Sequence, residues 1–262
     1  MTEPNTGAPV IPEPLAVLLR EGVLDAELAA LLWLTVEGGI PLVVAGEAAD
    51  KPSAVRDALV DLRSADGVLQ VLAGPTEDFA WMPEAVELGW RREGPLVPAA
   101  RQTGAPGPVI QVADLAPGSA SGTWGDTARV AIRALSLGYS MAATAGGDRL
   151  EDVLGRLAAF PTGALDDELT RLGVVLILGR TVAAERRVTA AHYLRPVARD
   201  THGHVQRLAP AVLATWNATT GRFDHFSWGV VGELAGRLGR RPVDLEREQA
   251  HRAGLLAQAI GG

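Results

Sequence analysis

Short apolar runs that alternate with amphipathic segments constrain the fold of this chain most strongly. Residues 40–45 and 173–178 are apolar throughout, a pattern typical of strands that are buried on both faces. Residues 54–63 instead carry apolar side chains at helical spacing. Strands that alternate with helices predict an α/β fold with a mainly parallel sheet and helices on both faces. With 47% hydrophobic residues among 262, the chain can bury one sizeable core.

The same alternation assigns the remaining elements before Arg180. A long first helix is expected over residues 15–37, because the apolar spacing ends at Gly38 and Gly39. Further strands are expected at residues 67–73, 108–113 and 140–144, and further helices at residues 127–137 and 149–159. Residues 93–107, rich in Pro, Gly and Ala, are expected to form a surface loop.

The pattern changes after Arg180. Two extended segments, residues 187–197 and 205–216, flank a turn signal at residues 200–203 and predict a small β-hairpin. A second turn and strand is expected at residues 217–226, followed by helices over 229–260 that break near Arg241 and Pro242, with Asp244 capping the second. The chain therefore divides into a flexible tail (1–14), a core (15–180) and a C-terminal extension of hairpin strands and helices packed on the core (181–262).

Composition excludes several classes of function. A net charge of −7 with dispersed basic residues argues against a nucleic-acid partner, which needs clustered cations. The chain has no cysteine, so thiolate metal sites and disulfides are excluded. The first 14 residues lack the pattern of a signal peptide, and the apolar residues 28–36 are too few to span a bilayer. We therefore expect a soluble cytoplasmic protein with no direct membrane insertion.

The loop after the first predicted strand has the frame of a phosphate-binding loop. Such a loop reads Gly-x-x-x-x-Gly-Lys-Ser/Thr between a buried strand and a helix, with glycines for close approach, a lysine for the terminal phosphates and a hydroxyl for Mg²⁺. The corresponding residues are Gly46-Glu47-Ala48-Ala49-Asp50-Lys51-Pro52-Ser53. Lys51 stands where the second glycine belongs and Pro52 where the lysine belongs. Taken alone, this stretch reads more readily as a plain strand-to-helix loop than as a degraded phosphate loop.

The stretches around this loop resemble the type II/type IV secretion ATPase family. The matching stretches occur in the same order as in that family, and the resemblance extends over roughly residues 15–259. They are its leading helix and Leu-Val-Ala-Gly strand (31–37 and 41–46), its second nucleotide strand (109–114), its segment ending in Thr-Gly-His (134–139), its Ala-Thr-Ile-His-Ala-Asn-Ser segment with the next helix (143–157), and its late strands (187–189 and 216–228). The resemblance implies a RecA-like P-loop NTPase core.

The resemblance also implies the residues of a nucleotide site. Gly46, Lys51 and Ser53 would contact ATP and Mg²⁺, and Asp114 would position the attacking water or the metal. From the residues alone, Asp114 reads more simply as the cap of a strand end, and Lys51 beside Asp50 as a solvated cation. We expect no cofactor unless nucleotide binding is retained, in which case ATP and Mg²⁺ are the ligands.

Other chemistry-bearing residues give weaker patterns. Glu77 and Asp78 are a faint echo of the family's acidic motif, but adjacent carboxylates in a turn are expected to point apart and stay hydrated. His202 and His204 lack an evident third ligand, so we expect an exposed or structural role and no metal site. Five tryptophans are expected to pack in the protein interior, and any that is exposed would mark a partner surface. They are Trp81, Trp90, Trp124, Trp216 and Trp228.

Departures from the family predict lost catalysis. Besides the altered loop, Tyr139 and Gly146 stand where the family has histidines, and too few residues precede the first predicted helix for the family's separate N-terminal domain. The leading hypothesis is a catalytically inactive pseudo-ATPase that acts as a binding or scaffold subunit of a bacterial secretion or type IV pilus machine. One alternative is a divergent ring ATPase that hydrolyses ATP with Lys51 and Asp114. Another is a nucleotide-independent adaptor. The expected partners are an active secretion ATPase or a membrane platform protein, in a homo- or hetero-oligomer.

Overall fold

A computed structural model describes residues 11–63, 68–91, 108–199, 202 and 204–261. The helices in these ranges are α1 (Glu13–Arg20), α2 (Ala26–Glu37), α3 (Pro52–Val60), α4 (Asp126–Ala134), α5 (Leu150–Ala158), α6 (Asp166–Leu169), α7 (Val231–Arg237) and α8 (Pro242–Gly261). The strands are β1 (Leu42–Ala45), β2 (Leu69–Val71), β3 (Val109–Val112), β4 (Ser140–Ala145), β5 (Val174–Arg180), β6 (Arg186–Tyr193), β7 (Ala198–Arg199), β8 (Val205–Gln206), β9 (Ala211–Asn217) and β10 (Arg222–His225). The surface loop expected at residues 93–107 lies outside the described residues.

Eight of the strands form one sheet in the order β10-β9-β6-β5-β1-β4-β3-β2. The five strands from β5 to β2 run parallel to their neighbours. β6, β9 and β10 extend the β5 side of this sheet in antiparallel fashion. The α/β class and the mainly parallel sheet predicted from the sequence are confirmed.

Two hydrophobic cores lie on opposite faces of the sheet. Leu42 and Val44 of β1 join the first core, together with α1, α2, α3, α7 and α8. Val43 and Ala45 join the second core, together with α4, α5 and α6. Because successive side chains of a strand point to opposite faces, β1 contributes to both cores and helices cover the sheet on both sides. Within the described ranges, no helix combines the length and the apolar character that a membrane span requires.

The helix predicted over residues 15–37 is in fact two helices, and that prediction is wrong at its centre. The chain leaves α1 after Arg20 and turns at Gly22, whose φ of 66° lies in the left-handed region. Asp25 then caps α2, because its carboxylate accepts the Leu28 amide at 2.9 Å. The predicted tail of residues 1–14 is also too long, since α1 begins at Glu13. Residues 1–10 lie outside the described part.

Asp25 also connects α2 to β10. Nε2 of His225 lies 2.8 Å from Asp25 Oδ2 and 3.8 Å from Glu27 Oε2. Burial lowers the pKa of His225, but the hydrogen bond to Asp25 and the charges of Asp25, Glu27 and Asp224 outweigh it, so that the pKa is raised above 6.5. The protonated imidazole therefore stabilises this junction fully below that ordinary value, and the contribution is lost as the pH rises through the raised pKa.

The two extended segments predicted after Arg180 pair with each other around the predicted turn, as expected. Their longer strands, β6 and β9, are antiparallel neighbours with Ala191 opposite Ala214, but they belong to the main sheet and not to a separate small hairpin. Nearer the turn, β7 and β8 form a two-stranded sheet of their own. Asp200, Thr201 and Gly203 of that turn lie outside the described residues.

Asp244 does not cap the last helix, contrary to the prediction. α8 begins at Pro242, so Asp244 lies inside its first turn. Its carboxylate forms ion pairs with Arg241 and Arg247 at 2.6 and 2.5 Å. A proline at the first helical position starts the helix instead, because its missing N–H has no partner there in any case.

Gly173 allows the segments before β1 and β5 to approach each other. Its φ is 71°, and a Cβ at this position would lie 2.6 Å from the Pro41 carbonyl oxygen and 2.7 Å from Cγ2 of Ile40. The same carbonyl accepts the Val174 amide at 2.9 Å, which begins the pairing of the two strands. A side chain at residue 173 would therefore force apart the two strands at the centre of the sheet.

We expect Gly173→Ala to lower the free energy of unfolding by about 2–4 kcal/mol, because it adds a steric clash to an unfavourable φ. Gly239→Ala is the matched control: its φ of 65° is similar, but nothing lies within 4 Å of the added Cβ. The control should lose only about 1 kcal/mol. Denaturant unfolding of both variants measures the difference, and equal losses would contradict the close approach described above.

Candidate functional site

The chain connections diverge at the carboxyl edge of the sheet, between β1 and β4. From β1 the chain passes through α3, in the first core, towards β2 at the far edge. From β4 it passes through α5 and α6, in the second core, to β5 on the other side of β1. Open α/β sheets bind ligands at such a switch point. The loop after β1 and the residues that follow β3 and β4 therefore form the candidate functional site.

The loop after β1 begins with a glycine that the packing requires. The Gly46 amide donates to the Ala145 carbonyl at 3.1 Å, which continues the ladder between β1 and β4. A Cβ at Gly46 would lie 2.9 Å from Cβ of Leu178 in β5. Gly46 is therefore explained by its close contact with the neighbouring strand, without a ligand.

The middle of the loop is a short 3₁₀ turn, Ala48–Asp50. The Asp50 amide donates to the Glu47 carbonyl at 2.9 Å, and the Lys51 amide donates to the Ala48 carbonyl at 3.1 Å. A phosphate loop instead points its amides at the anion. These two amides are already bonded within the chain, so they are not available to a phosphate in this conformation.

Lys51, Pro52 and Ser53 form the junction of the loop with α3. Lys51 adopts the left-handed conformation, with φ 50° and ψ 58°, and Pro52 is the first residue of the helix. Proline suits this position, but it removes one of the amides that a helix N-terminus would offer to an anion. The side chains of Lys51 and Ser53 are exposed and, in the described part of the chain, make no hydrogen bond or ion pair.

Two arginines from the antiparallel side of the sheet hold the loop. Nε of Arg180 lies 2.8 Å from Oδ1 of the buried Asp50, and the two side chains form an ion pair. The angles at Oδ1 do not make this contact a hydrogen bond. Nη2 of Arg180 also donates to the Ala49 carbonyl at 2.8 Å, and Arg186 donates to the Asp50 carbonyl at 3.3 Å. The loop is therefore closed on itself and also fastened to β5 and β6, with a buried carboxylate at its centre.

Asp114 follows β3 and lies at the same edge of the sheet, half-buried. Burial raises the pKa of its carboxyl group above 3.8, although the nearby Thr144 hydroxyl and the charge of Arg56 act in the opposite direction. The Thr144 hydroxyl itself donates to the Ala113 carbonyl. The Leu115 amide donates to the Thr144 carbonyl at 2.7 Å, and Thr123 donates its amide to the Asp114 carbonyl at 2.8 Å. The ends of β3 and β4 are thereby held together, which fixes the position of Asp114 relative to the loop.

Arg56 is a component of this site that the sequence reading missed. It lies on α3, is only 5% exposed, and donates from Nη1 to the Val112 carbonyl at 2.7 Å. Its Nε donates to Asp57 Oδ1 at 2.8 Å. Arg56 therefore joins the helix after the loop to the end of β3. The sequence contains one feature that could have identified Arg56: it follows Val55 on the apolar side of the predicted helix, and a charged residue on that side needs a buried partner.

The two positions where the resemblance expects histidines have structural environments. Tyr139 is buried, and its hydroxyl lies 2.9 Å from Glu84 Oε2. Gly146 follows β4, where an added Cβ would lie 2.8 Å from Nη1 of Arg156. Tyr139 therefore packs beside Glu84 and Trp81 before the start of β4, at the opposite end of that strand from the switch point, where Gly146 lies.

Glu77 is not the hydrated surface charge that the sequence predicted. It is 7% exposed and accepts the amides of Ala73 and Phe79 at 2.9 and 2.8 Å. It also accepts Nε1 of Trp81 at 3.1 Å. A carboxylate that organises three donors of its own turn is satisfied and has a structural role. Asp78 caps the next turn by accepting the Ala80 amide at 2.9 Å.

His202 and His204 lie near the predicted turn. Both are exposed, with ring centroids 6.2 Å apart. Among the described residues, no group of three His, Cys, Asp or Glu side chains is placed to hold a metal ion.

We expect Arg180→Ala to destabilise the protein by about 1–2 kcal/mol, because it leaves the Asp50 carboxylate buried without its cation. The value is below that of a fully buried pair, since the Arg180 side chain is 46% exposed. Adding Asp50→Asn should recover part of the loss. The control is Arg149→Ala, whose partner Glu151 lies 3.7 Å away with both side chains more than 70% exposed, and it should change stability by less than about 0.5 kcal/mol. If Arg180→Ala costs no more than the control in chemical unfolding, the closed loop does not depend on this pair.

Comparison with known proteins adds no family to this description. The chain matches no protein-family model and no curated protein. The resemblance to secretion ATPases therefore stays a prediction, and the argument for function depends on the geometry of the switch point.

Proposed function

We propose that this protein is a RecA-like pseudo-ATPase, related to the type II/type IV secretion ATPases, that acts as a binding or scaffold subunit of a secretion or pilus machine. A parallel sheet with a strand-loop-helix unit at its switch point and an acidic residue after a neighbouring strand is compatible with such a core. Such a protein would keep the architecture of the core but would not hydrolyse nucleotide.

The observation that carries the proposal is the closed loop after β1. Its Asp50 and Lys51 amides donate to carbonyls of the same loop, and the carboxylate of Asp50 is buried against Arg180. Phosphoryl transfer depends on positioned donors and positive charge around the phosphates. Here the buried negative charge and the bonded amides oppose the binding of a polyanion. Pro52 removes a further donor at the start of α3.

The divergent-ATPase alternative depends on Lys51 and Asp114. The exposed Lys51 amine is free to turn towards a ligand, and Asp114 lies at the same edge of the sheet with a raised pKa. However, the Asp50 and Lys51 amides donate to carbonyls of the same loop, so a phosphate held by Lys51 would lack the backbone donors of such a site. The bonded amides favour the non-hydrolysing subunit. A nucleotide-independent adaptor uses the same surfaces and differs only in its partner.

We expect isothermal titration of the purified protein with ATP and Mg²⁺ to show no saturable binding up to about 1 mM, which corresponds to about −4 kcal/mol or weaker. Ser53→Ala and Lys51→Ala should give the same result as the unchanged chain. Because the Lys51 and Ser53 side chains are exposed, both variants should fold like the unchanged chain, so a change in ATP binding would report on the site itself.

Saturable, Mg²⁺-dependent binding that Lys51→Ala abolishes would contradict the proposal and support the divergent ATPase. Phosphate release that depends on Ser53 would do the same. Co-purification with an active secretion ATPase, compared between the unchanged chain and the two variants, then tests the scaffold role itself. The three proteins should behave alike in that experiment.

A further inference from the structure

An apolar groove lies on the face of the first core, away from the switch point. It is bounded by α2, by the short 3₁₀ turn Ser227–Gly229, by α7 and by the first half of α8, and its volume is about 520 Å³. Its floor consists of Leu31, Leu234 and Leu245. The groove is large enough for several side chains of a partner, and its floor belongs to the packed core, so its shape is fixed before anything binds.

Trp228 at the rim distinguishes this groove from ordinary surface. The chain has six tryptophans, and the other five are buried or half-buried. Trp228 is 75% exposed, on a turn that joins β10 to α7. A large aromatic side chain left in water beside an apolar groove is typical of the anchor residues of interfaces. The prediction that Trp228 packs inside is therefore wrong, and its exposure fits the alternative expectation of a partner surface.

The exposed charges at the groove are negative, because the carboxylates of Glu27 and Glu246 line it and both residues are exposed. His225 also lines the groove, but its side chain is only 18% exposed, and it lies 2.8 Å from Asp25 and 3.8 Å from Glu27. Glu246 makes no ion pair or hydrogen bond with any described residue. The nearby arginines, Arg241 and Arg247, are bound to Asp244. The complementary ligand is therefore apolar on one side and positively charged at its edges.

We propose that this groove binds a basic amphipathic helix of a partner protein. Apolar residues spaced three and four apart would lie on Trp228, Val231 and Ala253, which line the groove and keep accessible surface above its buried leucine floor. Flanking Lys or Arg side chains would pair with Glu246 and Glu27. The proposal goes beyond the pseudo-ATPase role because it names a partner surface. It depends on the groove alone, so the helix can fail to bind while the absence of ATP binding is still observed. Equally, the helix can bind even if the protein proves to bind ATP.

The probe is a synthetic amphipathic helix of about 18 residues built from leucine and lysine, labelled for fluorescence anisotropy. Its matched control is the same helix with glutamate in place of lysine. The full chain should bind the lysine helix saturably and the glutamate helix at least about tenfold more weakly, because only the lysine helix complements Glu27 and Glu246.

Three variants locate the binding. Trp228→Ala and Glu246→Lys should each weaken binding of the lysine helix about tenfold or more. Phe160→Ala is the control, since Phe160 is 94% exposed and follows α5, whose apolar side chains belong to the second core on the opposite face of the sheet. It should leave binding unchanged. For each variant, a circular dichroism spectrum and an unfolding midpoint equal to those of the unchanged chain would show that the variant folds.

Several outcomes would overturn the proposal. They are equal binding of the two helices, no binding by the full chain, no effect of Trp228→Ala, and an equal effect of Phe160→Ala. Binding that occurs only after residues 1–10 are removed would show that this chain's own first residues occupy the groove. Self-association of the full chain that Trp228→Ala abolishes would assign the groove to a second copy.

Discussion

The burial of β1 between two parallel neighbours is the constraint on which the rest of the structure depends. Its four residues pair with β4 on one side and with β5 on the other, and its side chains alternate between two cores. The strand therefore cannot shift its register without moving every one of these side chains to the wrong face. Gly173 before β5 and Gly46 after β1 allow this close packing at the two ends of the strand.

The candidate site follows from this arrangement. Because β1 is fixed, the loop after it must start at the switch point, beside the ends of β3 and β4. That place is suited to a phosphate, but the loop bonds two of its own amides and buries Asp50 against Arg180. A ligand would have to break these contacts before it could use the amides. The loop lies where open α/β sheets bind ligands, whereas its bonding is that of a structural turn.

The sequence predicted the fold class because continuous apolar runs and helical spacing are local signals. It placed β1, β4 and β5 to within a few residues, together with the helices that follow β1 and β4. It joined α1 to α2, although Gly22 and Asp25 are a stop and a cap that could have been read. The turn signal predicted that β6 and β9 lie together, but not that β6 pairs with β5 and so extends the main sheet, because the local pattern does not specify that pairing. The buried roles of Arg56, Glu77 and Asp50 were missed for the same reason, since each depends on donors or acceptors supplied by the folded chain.

Amide hydrogen exchange at Asp50 and Lys51 tests the closed loop most directly, because it reports whether these two N–H groups are bonded in solution. The closed loop predicts that both amides are protected in the absence of nucleotide and that millimolar ATP with Mg²⁺ leaves their exchange rates unchanged. Rapid exchange in the free protein, followed by protection when ATP and Mg²⁺ are added, would contradict the account and show a loop that opens to hold phosphates.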